Sequence, residues 1–266
     1  MEIKIIFSDI DGTFLTNNHE VTEKTQKAVK SLLAQNKKFV LVSARMPEAI
    51  YPITEKIGVK IPIISYSGGL VLTEDEKILY DKKISLEETR KLLPELKNYL
   101  DISVNYYTGR KWFVEKIDAR VEREMRITSA TAELANFSEL VEKNILPNKI
   151  LIMCEPELCE KLEFELGKKF PDLNVVRSSK ILLEIMDKTV SKARGIEHLL
   201  RHYNFGVENS LAFGDNYNDV EMLKFVGCGV AMNNAPDDVK KIADDVTDSN
   251  EEDGIYNYFR RKKLTE

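Results

Sequence analysis

An apolar run near the start of the chain leads into two aspartates that are two positions apart. Residues 3–8 have the composition of a short buried β-strand, and Asp9 and Asp11 stand where that strand should end. Gly12 then permits a sharp turn. Ligands of open α/β sheets bind in the crevice beyond the carboxyl ends of the strands. Two carboxylates held there can take different roles in phosphoryl transfer. One can attack phosphorus, while the other transfers a proton to the leaving group.

A second acidic cluster in the C-terminal half favours this catalytic interpretation over an ordinary Asp-Gly turn. Residues 210–213 indicate another buried strand, which runs directly into Gly214, Asp215 and, four residues further on, Asp219. Acidic clusters at the ends of two strands are not expected by chance. They predict one site at one edge of a sheet.

The order of strand-like and helical patterns predicts an α/β core that is interrupted by a different module. The two patterns alternate up to about residue 82 and again from about residue 187. Hairpin signals and helices are mixed in between, which indicates an α+β module. Neither end is long enough to cover both faces of a sheet. We therefore expect residues 1–82 and 187–266 to form one Rossmann-like parallel-sheet core, with residues 83–186 inserted as an α+β cap.

Length and charge restrict the classes of function. With 266 residues, the chain has room for one large domain or two ordinary ones. Its 39 basic and 44 acidic residues leave a net charge of −5, which argues against nucleic acid or an anionic membrane as the main partner. The sequence also has no apolar run of membrane-spanning length.

The cysteines indicate the compartment. Cys154, Cys159 and Cys228 are odd in number and form no Cys-x-x-Cys pair, so neither a disulfide framework nor a zinc knuckle is predicted. Asp9 and Asp11 also fall where a signal peptide would need its apolar region. We expect a cytoplasmic protein, with monomer and homodimer both left open as oligomeric states.

Phosphoryl transfer by these residues would require a cation. Asp9 is a credible nucleophile of the aspartyl-phosphate type. A carboxylate and a phosphate repel each other, and Mg²⁺ suits oxygen ligands of this kind. Asp9 and Asp215 would supply carboxylates to Mg²⁺, while Asp219 would hold either the metal or a metal-bound water.

Other strand and helix ends offer groups that could neutralise the transferred phosphoryl group. Ser43 closes the second predicted strand and is followed by Arg45. Lys192 stands at the start of a predicted helix, where backbone N–H groups already favour an anion. The alternatives are ordinary strand-end capping for Ser43 and a solvated first-turn lysine for Lys192.

Four segments together resemble the four motifs of the haloacid dehalogenase superfamily, in order. They are Asp9–Thr13, Ser43–Arg45, Val190–Lys192 and Gly214–Asp219. The inserted module and the segment 229–235 are similar to those of its Cof-like branch of sugar-phosphate-type phosphatases. The resemblance covers essentially the whole chain and implies an α/β core with a cap.

The resemblance also implies roles for individual residues. Asp9 would be the nucleophile, and Asp11 would be the general acid and then the base that activates water. Ser43, Lys192 and Asn218 would bind the phosphoryl group.

The resemblance implies the metal ligands as well. The metal ligands would come from Asp9, Asp11 (through its backbone carbonyl), Asp215 and Asp219.

Two segments that would contact the substrate depart from the family pattern. Thr-Gly-Arg is usual where this chain has Ser43, Ala44 and Arg45, and the serine keeps the hydroxyl group. Asn-Gly-Ala is usual in the family where this chain has Ser67, Gly68 and Gly69. The substrate contact expected from the family's asparagine therefore has no counterpart here. Arg45 and Gly68 are the candidate substrate-binding residues.

The sequence as a whole predicts a Mg²⁺-dependent phosphatase that acts on small phosphorylated metabolites through an aspartyl phosphate. The cap would select the substrate. Two rival functions are a phosphomutase of sugar phosphates and a non-catalytic protein that binds phosphometabolites. The four acids at positions 9, 11, 215 and 219 argue against the second rival, because binding alone would not require a nucleophile beside a proton donor.

Overall fold

The structure, a computed structural model, describes residues 2–264. Within these residues the chain forms two compact units. The first comprises the chain up to Arg45, residues Ile50–Tyr80 and the chain from Ser191 onward. The second comprises Met46–Ala49 and Asp81–Val190.

The described chain contains strands, α-helices and short 3₁₀ turns. The strands are β1 (Ile5–Asp9), β2 (Lys38–Val42), β3 (Ile63–Ser65), β4 (Leu70–Leu72), β5 (Ile78–Asp81), β6 (Ser103–Thr108), β7 (Lys111–Val114), β8 (Glu133–Leu134), β9 (Lys149–Met153), β10 (Leu173–Ser179), β11 (Leu182–Asp187), β12 (Ser210–Gly214), β13 (Cys228–Ala231) and β14 (Asp245–Val246). The α-helices are α1 (Glu23–Ala34), α2 (Tyr51–Lys56), α3 (Leu86–Leu96), α4 (Ala119–Thr128), α5 (Phe137–Glu142), α6 (Pro156–Lys169), α7 (Lys192–Tyr203), α8 (Val220–Phe225), α9 (Asp237–Ile242) and α10 (Gly254–Arg261). The 3₁₀ turns are Pro47–Ala49, Tyr66–Gly68, Val207–Asn209, Tyr217–Asp219 and Asn250–Glu252.

The first unit is built on a mostly parallel sheet. Its strand order among the described residues is β14-β13-β12-β1-β2-β3-β4-β5, and the pairs from β14 to β3 are parallel. The central strand β1 is buried along its whole length, as its apolar sequence predicts. The predicted α/β fold with a parallel-sheet core is confirmed.

The register of the central strands determines which strand ends meet. β1 lies between β12 and β2, and Asp9 is aligned with Val42, the last residue of β2. Ser8 is aligned with Phe213 of β12 in the same way. The residues that follow these three parallel strands therefore emerge side by side at the carboxyl edge of the sheet.

The helical segment between β2 and β3 has two parts. A 3₁₀ turn, Pro47–Ala49, precedes α2, which carries Pro52 in its first turn. Proline lacks a backbone N–H and is accommodated at the start of a helix, so it favours a new start here over a continuous helix.

The second unit has a sheet of its own, with the strand order β10-β11-β9-β6-β7-β8. Most of its strand pairs are antiparallel. One face of the sheet contributes Tyr106, Ile150 and Ile185 to an apolar core that also includes residues of α3, α5 and α6. No described helix is long and apolar enough to cross a membrane.

Candidate active site

The acidic residues at the two strand ends meet at the carboxyl edge of the first unit's sheet. Asp9 is the last residue of β1 and is buried, and Asp215 directly follows β12. Asp9, Asp215 and Asp219 each have a carboxylate oxygen within 4.8 Å of the others. The sheet thus brings together three of the acids that the sequence analysis singled out.

Lys192 lies inside this cluster. Its Nζ donates to Oδ1 of Asp9 at 2.5 Å and to Oδ1 of Asp219 at 2.6 Å. The residue is only 2% exposed, so the alternative of a solvated lysine is wrong. Ser191 caps the helix by accepting a hydrogen bond from the backbone N–H of Arg194, which starts α7 at Lys192.

Two glycines allow α7 to approach the sheet closely enough for this contact. Gly68 has a φ of +105°, and a Cβ atom there would lie 2.0 Å from the carbonyl oxygen of Ser191. A Cβ atom on Gly195 would lie 2.5 Å from Ile64. Gly68, predicted as a substrate contact, thus packs against the backbone that carries Lys192.

Asp219 organises the loop after β12. Its Oδ2 accepts hydrogen bonds from the backbone N–H groups of Asp215 and Asn216, each at 3.0 Å. Its Oδ1 accepts from Lys192, so both oxygens of this fully buried carboxylate are engaged. The contacts favour Asp219 as the residue that positions Lys192 and the Asp215 loop.

Asp215 is held by the loop that follows β1. The hydroxyl of Thr13 donates to Oδ1 of Asp215 at 2.7 Å. Gly12 has a φ of +84°, and a Cβ atom there would lie 2.4 Å from Oδ2 of Asp215. Both residues belong to the first motif, but no role for Thr13 is predicted from the sequence. The strand order alone does not reveal a hydroxyl–carboxylate contact between such distant segments.

The charges of the cluster do not balance. Burial raises the pKa of Asp9 well above its usual range, although Lys192 partly offsets this effect. Burial also raises the pKa of Asp215 to about 6, against the hydrogen bond from Thr13. Burial disfavours the charge on Lys192, but Asp219 and Asp9 more than compensate and raise the pKa of Lys192. Three carboxylates share one buried ammonium group, which leaves an excess of negative charge.

This excess of charge fits a divalent cation. The donor set consists of carboxylate oxygens, which are the ligands that Mg²⁺ prefers. A cation there would also stabilise the ionised carboxylates of Asp9 and Asp215, whose pKa values burial raises.

Asp11 points to a different partner. Oδ2 of Asp11 accepts from Nε of Arg45 at 2.9 Å, and Oδ1 accepts from Nη2 at 2.5 Å. The Asp11 side chain is about half exposed, at 48%. Arg45, predicted as a substrate contact, therefore forms a two-point ion pair with the predicted general acid.

The remaining predicted residues lie in different settings. Ser43 follows β2, is buried, and accepts a hydrogen bond at its Oγ from the backbone N–H of Arg45 at 3.2 Å. Asn218 lies in the 3₁₀ turn before α8; it is exposed, and its side chain makes no hydrogen bond within residues 2–264. The structure thus brings Ser43 to the carboxyl edge of the sheet, and within residues 2–264 the Asn218 side chain makes no hydrogen bond to the carboxylates.

Comparison with known proteins assigns the family. Residues 6–259 match the model of the haloacid dehalogenase-like hydrolases. The chain is 34% identical, over 96% of both chains, to a Haemophilus influenzae protein that is provisionally named a phosphatase. It is 27% identical to phosphatase YwpJ of Bacillus subtilis, over 95% of this chain and 97% of YwpJ. The chain therefore belongs to the haloacid dehalogenase-like hydrolase family, and these relatives place it among the phosphatases of that family.

Solved structures agree with this assignment. TM0651 from Thermotoga maritima superposes with a TM-score of 0.89 at 29% identity, over 97% of each chain. The HAD subclass IIB sugar phosphatase BT4131 shares the fold, with a TM-score of 0.84 at 23% identity over 98% of this chain and 99% of that one. The predicted resemblance to the haloacid dehalogenase superfamily is confirmed.

Proposed function

We propose that the protein hydrolyses small phosphate monoesters, sugar phosphates or similar metabolites, with Mg²⁺ and through an aspartyl phosphate on Asp9. One observation carries this proposal: the buried Lys192 is shared by Asp9 and Asp219 within a cluster that has more carboxylates than cations. Such a cluster suits a cation and a phosphoryl group better than it suits an empty protein interior.

Asp9 would be the nucleophile. Lys192 donates a hydrogen bond to Oδ1 of Asp9. Oδ2 of Asp9 accepts no hydrogen bond from residues 2–264, which supports Oδ2 as the attacking atom. A bond would form between Oδ2 and phosphorus while the bond from phosphorus to the leaving oxygen breaks. Lys192 and Ser43 would neutralise the phosphoryl oxygens, with Asn218 as a further donor.

Asp11 would carry the proton. It would first protonate the leaving alkoxide and would then accept a proton from the water that cleaves the bond between phosphorus and Asp9. Its ion pair with Arg45 would have to open for this, and its half-exposed side chain allows that movement. A substrate anion would compete with Asp11 for Arg45, which keeps Arg45 as a candidate substrate contact.

The metal would be held by the carboxylates of Asp9 and Asp215 and the backbone carbonyl of Asp11, with Asp219 as a direct or water-mediated ligand. When bound, Mg²⁺ supplies positive charge between the phosphate and the carboxylates. The structure's own support for this is the oxygen-rich cluster with its raised pKa values at Asp9 and Asp215.

The inserted segment would select the substrate. Residues 83–186 lie within the separate second unit, whose compact core supports an independent role. Replacing the segment by a flexible linker should preserve turnover of p-nitrophenyl phosphate and reduce discrimination among natural phosphate esters. A cytoplasmic location belongs to the same proposal, since Cys154, Cys159 and Cys228 are all free thiols.

Covalent trapping tests the proposed reaction. Asp11→Ala should still take phosphate from p-nitrophenyl phosphate, because nitrophenolate leaves without a proton, but should hydrolyse the aspartyl phosphate slowly. Phosphorus-labelled protein should therefore accumulate in Asp11→Ala and be absent from Asp9→Asn. Label in Asp9→Asn, or turnover like that of the wild type, would mean that the nucleophile is another residue. Free phosphate from a sugar phosphate would separate hydrolysis from phosphomutase activity, and a binding protein would never become labelled.

A further inference from the structure

We propose that Asn234 and Asn250 are positioning residues that fix the loop carrying Asp11, and that turnover of esters with poor leaving groups depends on them. The inference rests on the proposed function, because it concerns the residue that would move the proton. Neither asparagine touches the carboxylate cluster, so both would act through the loop.

The loop in question is residues 10–15, here called the catalytic loop. It doubles back on itself, since the backbone N–H groups of Phe14 and Leu15 both donate to the carbonyl of Ile10, at 3.0 and 2.9 Å. Asp11 pairs with Leu15 as an isolated β-bridge. Gly12 adopts a φ of +84° in this loop, and side chains from outside the loop donate to the carbonyls of Gly12 and Leu15.

Asn234 supplies one such contact. Its Nδ2 donates to the carbonyl of Gly12 at 2.9 Å, next in sequence to Asp11. Its Oδ1 accepts from the backbone N–H of Asn250 at 3.2 Å. A single amide side chain thus links the catalytic loop to the segment before α10.

Asn250 holds the other end of the loop. It is only 7% exposed, and its Nδ2 donates to the carbonyl of Leu15 at 2.9 Å and to Oδ1 of Asn17 at 3.3 Å. The same segment is anchored nearby, because Glu251 accepts the backbone N–H of Asn17 at 2.5 Å. The two asparagines therefore hold the carbonyls of Gly12 and Leu15, on either side of Thr13.

Their effect should depend on the leaving group. Asp11 precedes the Gly12 carbonyl and pairs with Leu15, so a loosened loop would move the Asp11 carboxyl away from the leaving oxygen. Proton transfer contributes about 10²–10⁴ in rate and is sensitive to placement. An alkyl phosphate needs that proton, whereas p-nitrophenyl phosphate does not.

A matched pair of neighbouring asparagines provides the test. Asn234→Asp keeps the size of the side chain and removes the N–H donor to Gly12. Asn233→Asp makes the same change one residue earlier; Asn233 is exposed, and its side chain makes no hydrogen bond within the described chain. The control therefore reports the effect of the added charge alone.

We expect kcat for a hexose phosphate to fall about tenfold or more in Asn234→Asp, and kcat for p-nitrophenyl phosphate to stay within about threefold of wild type. Amide hydrogen exchange of residues 10–17 should become faster in Asn234→Asp and remain unchanged in Asn233→Asp. An equal loss on both substrates, or unchanged exchange of residues 10–17, would overturn the inference. An inactive wild-type enzyme would instead refute the proposed function, and hydrogen exchange would still report on the loop.

Discussion

Each unit of the molecule contains a buried lysine beside a carboxylate, and the two settings differ in their charge balance. In the first unit, Lys192 contacts Asp9 and Asp219, with Asp215 close to both acids. In the second, Nζ of Lys149 lies 3.2 Å from Oε1 of Glu184, on the neighbouring strands β9 and β11. Lys149 and Glu184 are each less than 10% exposed.

The difference separates a structural pair from a working site. In the Lys149–Glu184 pair one positive charge offsets one negative charge, and the pair resembles other cross-strand contacts that stabilise a sheet. Around Lys192 the acids outnumber the cation, and burial raises the pKa of both Asp9 and Asp215. A protein interior tolerates such an excess where a ligand or a metal compensates it. Charge imbalance, rather than burial, thus distinguishes the two lysines.

The largest expected effect is the loss of activity when Lys192 is replaced. Lys192→Met should lower kcat/KM for p-nitrophenyl phosphate by about 10³-fold, because the phosphoryl oxygens lose a buried cation. Thermal unfolding in the presence of Mg²⁺ should change little, since the metal still compensates the carboxylates. Wild-type turnover in Lys192→Met would mean that Lys192 has a structural role, as Lys149 does.

The matched substitution at Lys149 should affect stability instead. Lys149→Met leaves Glu184 buried beside an apolar side chain, and we expect the free energy of unfolding to fall by about 3 kcal/mol. Turnover of p-nitrophenyl phosphate per folded molecule should be close to wild type. The double variant Lys149→Met/Glu184→Leu should recover most of the lost stability in denaturant titrations. A loss of turnover without a loss of stability would contradict the contrast between the two lysines.

The smallest expected effect is on how stability depends on pH when Asp215 is replaced. The pKa of Asp215 is about 6 in the folded protein against a reference value of 3.8. Ionised Asp215 therefore destabilises the metal-free fold above pH 6, and this cost disappears as the pH falls below about 4. Asp215→Asn should stabilise the protein by about 2 kcal/mol at pH 8 in chelator, at about 1.4 kcal/mol per pKa unit with some solvent screening. Unfolding curves of the two proteins at pH 8 and pH 4, with and without Mg²⁺, measure this difference; equal stability at pH 8 in chelator would contradict it.

The main lines of the fold and part of the site could be predicted from sequence. Apolar runs that end in acids indicate strand ends, and parallel strands place those ends at one edge, which is why Asp9 and Asp215 were found together. The burial of Lys192 could not be predicted, because it depends on the close approach that Gly68 and Gly195 permit. The contacts of Thr13 and Asn234 could not be predicted either, since each joins segments that are far apart in sequence.

Part of the second unit was also missed. Helices α4 and α5 and strand β8 lie between residues 116 and 148, where the sequence pattern predicts neither a helix nor a strand. In α4 only Val121 is buried, and most of the other side chains are charged or polar, so the helix has few apolar residues to mark its period. The boundaries 83 and 186 of the predicted insert stay a prediction.

Metal dependence of phosphate release tests the central claim that the charge excess around Lys192 serves metal-assisted phosphoryl transfer. The measurement is the rate of phosphate release from p-nitrophenyl phosphate after divalent cations are removed, followed by titration with Mg²⁺, for wild type and Asp215→Asn. We predict no turnover in chelator, saturable recovery with Mg²⁺ in the wild type, and little or no recovery in Asp215→Asn. Full turnover in excess chelator, or wild-type recovery in Asp215→Asn, would contradict the account.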